Sequence, residues 1–224
     1  MKTTKPYLIA EIGVNFYDTA KVLGISALDA AKLYIDKAAE VGINCAKFQS
    51  YKAGTIVSKN SPAYWDITKE PTKTQYELFL KHDRFGEAEY RELCNYTHAK
   101  GMDFTSTPFD YISADYLKDM VDFYKISSSD LSNLPFIRHI GKKGKPVFLS
   151  VGASYLSEVD VAIRALKESG CKDIVVLHCV LSYPTEAQNA NLRIIETLKK
   201  NFSDIRVGFS DHVAPDNTMM TLAT

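Results

Sequence analysis

The chain has 224 residues, 46% of them apolar and 24% charged, with 27 basic residues against 27 acidic ones. This composition excludes a disordered chain and suffices for a sizeable core, in one large α/β domain or two small ones. With charges balanced and no block of one sign, the sequence has no electrostatic footprint for nucleic acid or an anionic membrane, so a small-molecule partner is the default expectation.

Seven short apolar runs recur in order: YLIAEIGV (7–14), NCAKFQS (44–50), MDFTSTPF (102–109), DFYKISS (122–128), PVFLSVG (146–152), IVVLHCV (174–180) and RVGFSDH (206–212). Each has strand length and near-continuous apolar character, as parallel strands covered by helices do. The first run is too short for a signal-peptide core and Glu11 interrupts it, and no later stretch approaches the ~20 apolar residues of a membrane span. A cytoplasmic protein is expected.

Helical segments separate the runs. In SALDAAKLYIDKAAEVG, Leu28, Ala31, Ile35, Ala38 and Ala39 share a face, Ser26 and Asp29 have capping-box spacing, and Gly42 is placed to stop the helix. SEVDVAIRALKESG repeats this grammar from Ser157 and Asp160 to Gly170, and NLRIIETLKKNF does so again. One connection, residues 51–86, is unusually long, with the chain's one tryptophan, two prolines and several tyrosines and phenylalanines. It reads as a lid or wall of a pocket, or as an aromatic-rich packing loop. Cys45, Cys94, Cys171 and Cys179 are widely spaced, with no CxxC pair, and read as reduced, mostly buried thiols.

Strand–helix alternation without a flexible linker predicts one α/β domain over 1–224. A (β/α)8 TIM barrel fits better than a doubly wound sheet, because EIGVNFYD lacks the Gly-rich turn of a dinucleotide-binding first strand and polar residues end every strand. About seven of the eight units are present, and APDNTMMTLAT (214–224), with Pro215 shortly after the seventh run, starts like a helix where the sequence stops.

Alternation groups the polar side chains: Glu11, Gly13 and Asn15; Lys47 and Gln49; Thr105 and Thr107; Lys125 and Ser127; Ser210 and His212. A lysine inside an apolar strand is costly unless paired, and either Lys47 or Lys125 alone could reach solvent past its strand end. Two at matching positions point to function, and with hydroxyls at Thr107, Ser128, Ser150 and Ser210 they suit a small phosphate-bearing anion. His178 and His212 both end strands. A lone histidine is more often a hydrogen-bonded core residue, and His212, beside Asp211, is the better metal candidate.

The segments AEIGVN, AKFQSY, FTSTPFD, YKISSSDLSNLPFI, FLSVGAS, LHCVLSYPT and GFSDH, in this order, resemble the sialic acid synthase family, N-acetylneuraminate synthase and its legionaminate relatives. The resemblance covers nearly the whole chain. It implies a barrel enzyme in which C3 of phosphoenolpyruvate (PEP) attacks the open-chain aldehyde of a 2-acetamido hexose, water adds at C2, and phosphate leaves to give a nine-carbon 2-keto acid. It also implies PEP binding by Lys47, Thr107, Lys125, Ser128, Ser150 and Ser210. Glu11 matches the carboxylate near the reacting centre, Asp130 falls where many members have a glutamate that takes part in proton transfer or sugar binding, and Gln49 and Tyr183 match sugar-contacting positions. His212 matches one of two histidines holding Mn²⁺ or Mg²⁺.

The sequence departs from the family at Phe16, Tyr17 and Asp18, where members read His-x-Gly after the asparagine, and at Leu181, where several use a polar residue. Neither the Glu-x-His-Phe motif with the second metal histidine nor the C-terminal antifreeze-like domain falls within these residues, and a homodimer is expected of the full-length form. Two other readings stand beside the synthase: a class I aldolase with a Schiff base on Lys47 or Lys125, and an incomplete barrel that binds a ligand or partner chain without turnover.

Overall fold

The computed structural model describes residues 5–214 and 218–223; Pro215 lies outside them. Every apolar run contains a strand, and the seven strands among the described residues form two parallel sheets, ordered β1-β2-β3 and β4-β5-β6-β7. Residues Tyr7–Asp122 make one compact unit, and a second begins at Phe123.

The first unit runs β1 (Ile9–Gly13), α1 (Phe16–Leu23), α2 (Ala27–Glu40), β2 (Cys45–Ser50), α3 (Ala53–Ile56), α4 (Gln75–Lys81), α5 (Glu87–Ala99), β3 (Asp103–Pro108) and α6 (Tyr111–Tyr116). Helix α2 starts where its cap spacing predicts, the Ser26 hydroxyl accepting the Asp29 N–H at 3.0 Å. Its buried face is Ala30, Ala31, Ile35 and Ala38. Beneath the helices Phe48 and Phe104 are fully buried with ring centroids 5.7 Å apart, and Phe16 extends the cluster to Phe48 and Phe85.

Strand β1 breaks simple alternation. Glu11 pairs with Lys47, yet Gly13 pairs with Phe48, so Ile12 is an extra residue. Gly13 takes φ +58° to absorb it. Asn15 therefore does not continue the row of Glu11, as simple alternation predicts; it sits exposed at the N-cap of α1.

The long 51–86 segment is closed at its base. The Lys52 ammonium donates to the Phe85 carbonyl at 2.9 Å and also to that of Asp83. The Asp83 carboxylate accepts the Ala53 N–H at 2.8 Å, and the Tyr17 hydroxyl accepts the Phe85 N–H at 2.9 Å. Further out, a Thr74–Glu77 capping box starts α4, whereas Tyr64 and Ile67 are exposed.

The second unit runs β4 (Tyr124–Ile126), α7 (Leu134–Gly141), β5 (Val147–Ser150), α8 (Leu156–Glu168), β6 (Ile174–His178), α9 (Ile194–Asn201), β7 (Arg206–Phe209) and α10 (Thr218–Ala223). Its register aligns Lys125 with Phe148 and Val175, and, one layer further along the same face, Ser150 with Leu177 and Gly208. Helix α8 starts before Ser157, because the Glu158 carboxylate accepts the Tyr155 N–H at 2.8 Å and draws Ser157 into the first turn. The four cysteines are free and buried, as their spacing predicts. Among the described residues no helix is long and apolar enough to cross a membrane.

Candidate active site

Each unit gathers part of the polar set along its strands and just past their C-terminal ends. In the first unit, Lys47 is not the solvent-reaching lysine that burial alone allows: its ammonium pairs with the Glu11 carboxylate. The lysine side chain is 12% exposed, so the carboxylate is what makes its charge tolerable within the sheet. The other Glu11 oxygen accepts from the Gln49 amide at 3.2 Å. A Cβ at position 13 would stand 3.2 Å from Glu11 Oε1 and 3.4 Å from Gln49 Nε2, so glycine there serves both the bulge and the approach of these two side chains. Register puts Thr105 beside Lys47 and Thr107 beside Gln49, both threonines being buried. The Gln49 carbonyl accepts the Tyr90 hydroxyl at 2.5 Å, which ties the strand end to α5.

In the second unit, Lys125 is 5% exposed and donates to the Ile126 carbonyl at 3.1 Å. Burial pushes its pKa down to about 8, opposed in part by the neighbouring Cys179. Ser150, on the same sheet face, is buried and its hydroxyl is, among the described residues, the buried side-chain polar atom with no hydrogen-bond partner. Such a group is costly in a folded chain unless something else fills its valence.

Beyond the strand ends, the Gly152 N–H donates to the Cys179 sulfur at 3.2 Å, and a Cβ at 152 would stand 3.3 Å from the Ser128 hydroxyl. Ser128 opens a 3-10 turn through Asp130, whose half-buried carboxyl is raised above the usual range by desolvation, against the pull of the Asn133 side chain.

His212 and Tyr183 form a separate group in this unit. The imidazole Nδ1 lies 2.6 Å from the Val180 carbonyl, and the ring meets the Tyr183 ring edge-on at 4.9 Å. A carbonyl only accepts, so Nδ1 carries a proton; in the neutral ring that leaves the lone pair on Nε2, the tautomer in which an imidazole can ligate a metal. The Thr185 N–H holds the His212 carbonyl at 2.7 Å. Ser210 continues the ladder past β7 by donating its N–H to the His178 carbonyl at 2.8 Å.

His178 itself is a core residue. Its Nε2 donates to the Ala190 carbonyl at 2.7 Å and its ring stacks on Phe209. Among the described residues no three His, Cys, Asp or Glu side chains gather closely enough to hold a metal ion. Sequence reasoning missed Gly152 and Cys179, each placed directly after the last residue of a strand or one residue beyond it, where parallel α/β proteins build sites.

Parallel strands that bear a carboxylate–lysine pair in one unit, and a buried lysine with an unsatisfied hydroxyl in the other, define an α/β protein with polar groups set among apolar strands. Residues 34–224 match the NeuB family, and the chain belongs to it. It is 38% identical over 207 residues to an uncharacterised protein of Methanocaldococcus jannaschii, covering 92% of this chain and 55% of that one. It is 35% identical over 213 residues to the N,N'-diacetyllegionaminic acid synthase of Legionella pneumophila, covering 92% and 57%. The chain thus spans little more than half the length of these relatives. A crystal structure of N-acetylneuraminic acid synthetase from Leptospira borgpetersenii, in complex with citrate, superposes with a TM-score of 0.83 at 30% identity, covering 98% of this chain and 69% of that one.

Proposed function

We propose that these residues are the barrel portion, with seven of eight (β/α) units, of a PEP-dependent synthase that condenses PEP with a 2-acetamido hexose to a sialic or legionaminic type of 2-keto acid. The observation that supports it most is the pairing of a costly buried ammonium at Lys125 with an unsatisfied hydroxyl at Ser150. A multiply charged anion answers both at once.

In this reading Lys47, Thr107, Lys125, Ser128, Ser150 and Ser210 bind PEP, and Gln49 and Tyr183 contact the sugar. Glu11 and Asp130 act near the reacting carbons. Desolvation lets Asp130 hold a proton at higher pH than an exposed aspartate, which suits a group that both takes and returns one. His212 would supply one nitrogen to Mn²⁺ or Mg²⁺, and such an ion, when bound, polarises the aldehyde carbonyl. The hydroxyls and lysines orient PEP and hold the departing phosphate. The full-length protein is a cytoplasmic homodimer in this proposal.

The test is to incubate the chain with PEP, Mn²⁺ and a panel of 2-acetamido hexoses and to measure phosphate. Release with at least one sugar, by this chain or by one extended past residue 224, is expected. No release by the extended form with any sugar counts against the synthase. The lowered pKa of Lys125 also favours a second reading, a Schiff-base aldolase; borohydride in the presence of a keto acid traps a covalent adduct on Lys125 in that case and none in the first.

A further inference from the structure

We propose that Cys179 is a positioning residue of the anion group on the second unit: its sulfur takes the Gly152 N–H and sets the turn after β5 against the Ser128 hydroxyl. This inference rests on the PEP reading above and adds to it a residue that contacts no substrate.

Three observations meet at this point. The sulfur is 3.2 Å from the Gly152 nitrogen, and the thiol is 4% exposed. A Cβ at position 152 would stand 2.8 Å from that sulfur, 3.2 Å from the Cys179 carbonyl oxygen and 3.3 Å from the Ser128 hydroxyl. The sulfur meets the glycine N–H directly, and the space a side chain would take at 152 is already bounded by the sulfur, the Cys179 carbonyl and the Ser128 hydroxyl. The next residue, Ala153, is held at φ +52°, where a residue with a Cβ is strained. A turn persists in such a conformation only when its surroundings over-determine it. Here the surroundings are the thiol on one side and the Ser154 hydroxyl on the other, which donates back to the Val151 and Gly152 carbonyls at 3.2 and 3.0 Å.

The turn carries Ser150 at its strand end, and its far wall is Ser128. Moving it would displace two of the hydroxyls assigned to the anion. A sulfur suits this place physically. It is a weak acceptor, so it holds the N–H without competing for the ammonium, and its size fixes the spacing between β5 and β6. An alanine leaves the Gly152 N–H buried and unanswered. A serine restores an acceptor that reaches less far, because the C–O bond is about 0.4 Å shorter than C–S.

The experiment measures the PEP dissociation constant by calorimetry, with circular dichroism and the thermal midpoint of the unliganded protein recorded alongside, for wild type, Cys179→Ala and Cys179→Ser. Cys179→Ala is expected to weaken PEP about tenfold, and Cys179→Ser about threefold, with circular dichroism unchanged. A residue that merely fills space would lower the thermal midpoint and leave PEP affinity at the wild-type value in both variants; that result overturns the inference. Should Cys179→Ala fail to fold, Cys179→Ser decides: threefold weaker binding supports the role, and wild-type affinity overturns it. Wild-type protein that binds neither PEP nor inorganic phosphate would instead overturn the anion reading itself, and this inference with it.

Discussion

Replacing Lys125 by methionine should make the unliganded protein more stable while removing its hold on PEP. Burial takes the ammonium from its ordinary 10.5 down to about 8. A drop of roughly 2.5 pH units, at about 1.36 kcal/mol per unit, is a charge-burial cost of about 3 kcal/mol at neutral pH. The sign follows from linkage. Below about pH 8 both folded and unfolded chains are protonated and the folded chain carries the full cost. Between about pH 8 and 10.5 the unfolded chain keeps a proton that the folded chain has released, so stability rises with pH across that window.

Methionine keeps the apolar stem and removes the charge, and it forfeits the hydrogen bond to the Ile126 carbonyl, worth about 1 kcal/mol. The net expectation is that Lys125→Met is about 2 kcal/mol more stable at pH 7 and lacks the alkaline rise. Urea unfolding of both proteins from pH 7 to 10.5 reads this directly, and the same titrations with PEP added should stabilise the wild type alone. A variant less stable than wild type at pH 7, or one that keeps the rise, would refute the argument that burial of this ammonium dominates.

Ser150→Ala removes a hydroxyl with no partner to lose, so its urea midpoint should match or exceed that of wild type while PEP binding weakens about tenfold; unchanged affinity removes Ser150 from the site. Gly152→Ala drives a methyl against the Cys179 carbonyl as well as its sulfur and should cost about 1–3 kcal/mol of stability, read by the same unfolding. Lys47→Met should weaken PEP by more than ~1.5 kcal/mol if the ammonium meets phosphate or carboxylate as well as Glu11. Affinity equal to wild type in calorimetry would leave Lys47 a partner of Glu11 alone.

All seven strands were legible because each lies within a short, mostly apolar run from 7–14 to 206–212, the pattern of parallel strands covered by helices, which holds even for β7, whose residues are half-buried or exposed. Helix α2 was legible for a local reason, since Ser26 meets Asp29 within one turn. Helix α8 was misplaced at its start because Ser157 with Asp160 and Tyr155 with Glu158 offer competing caps two residues apart, and spacing cannot rank them. The bulge at Ile12 was hidden because one extra residue leaves an apolar run looking continuous, although it decides where Asn15 goes. The two strand-ending histidines were separable only by their surroundings: Phe209 and the Ala190 carbonyl bury His178 in the core, while the Val180 carbonyl orients His212. Cys179 stayed invisible because a lone cysteine beside an apolar run reads as core until the Gly152 N–H is seen on its sulfur.

The closed base of the 51–86 segment bears on how this family could diversify. Lys52, Ala53, Asp83, Phe85 and Tyr17 join its two ends, so a change in the length of the outer part alters the closure entropy only slowly and need not reach Lys47 or Gln49. The tip around Tyr64 and Ile67 can then change with little effect on the base, while Phe79 of α4, against Tyr51 just past β2, marks where the tolerant part gives way to the anchored one.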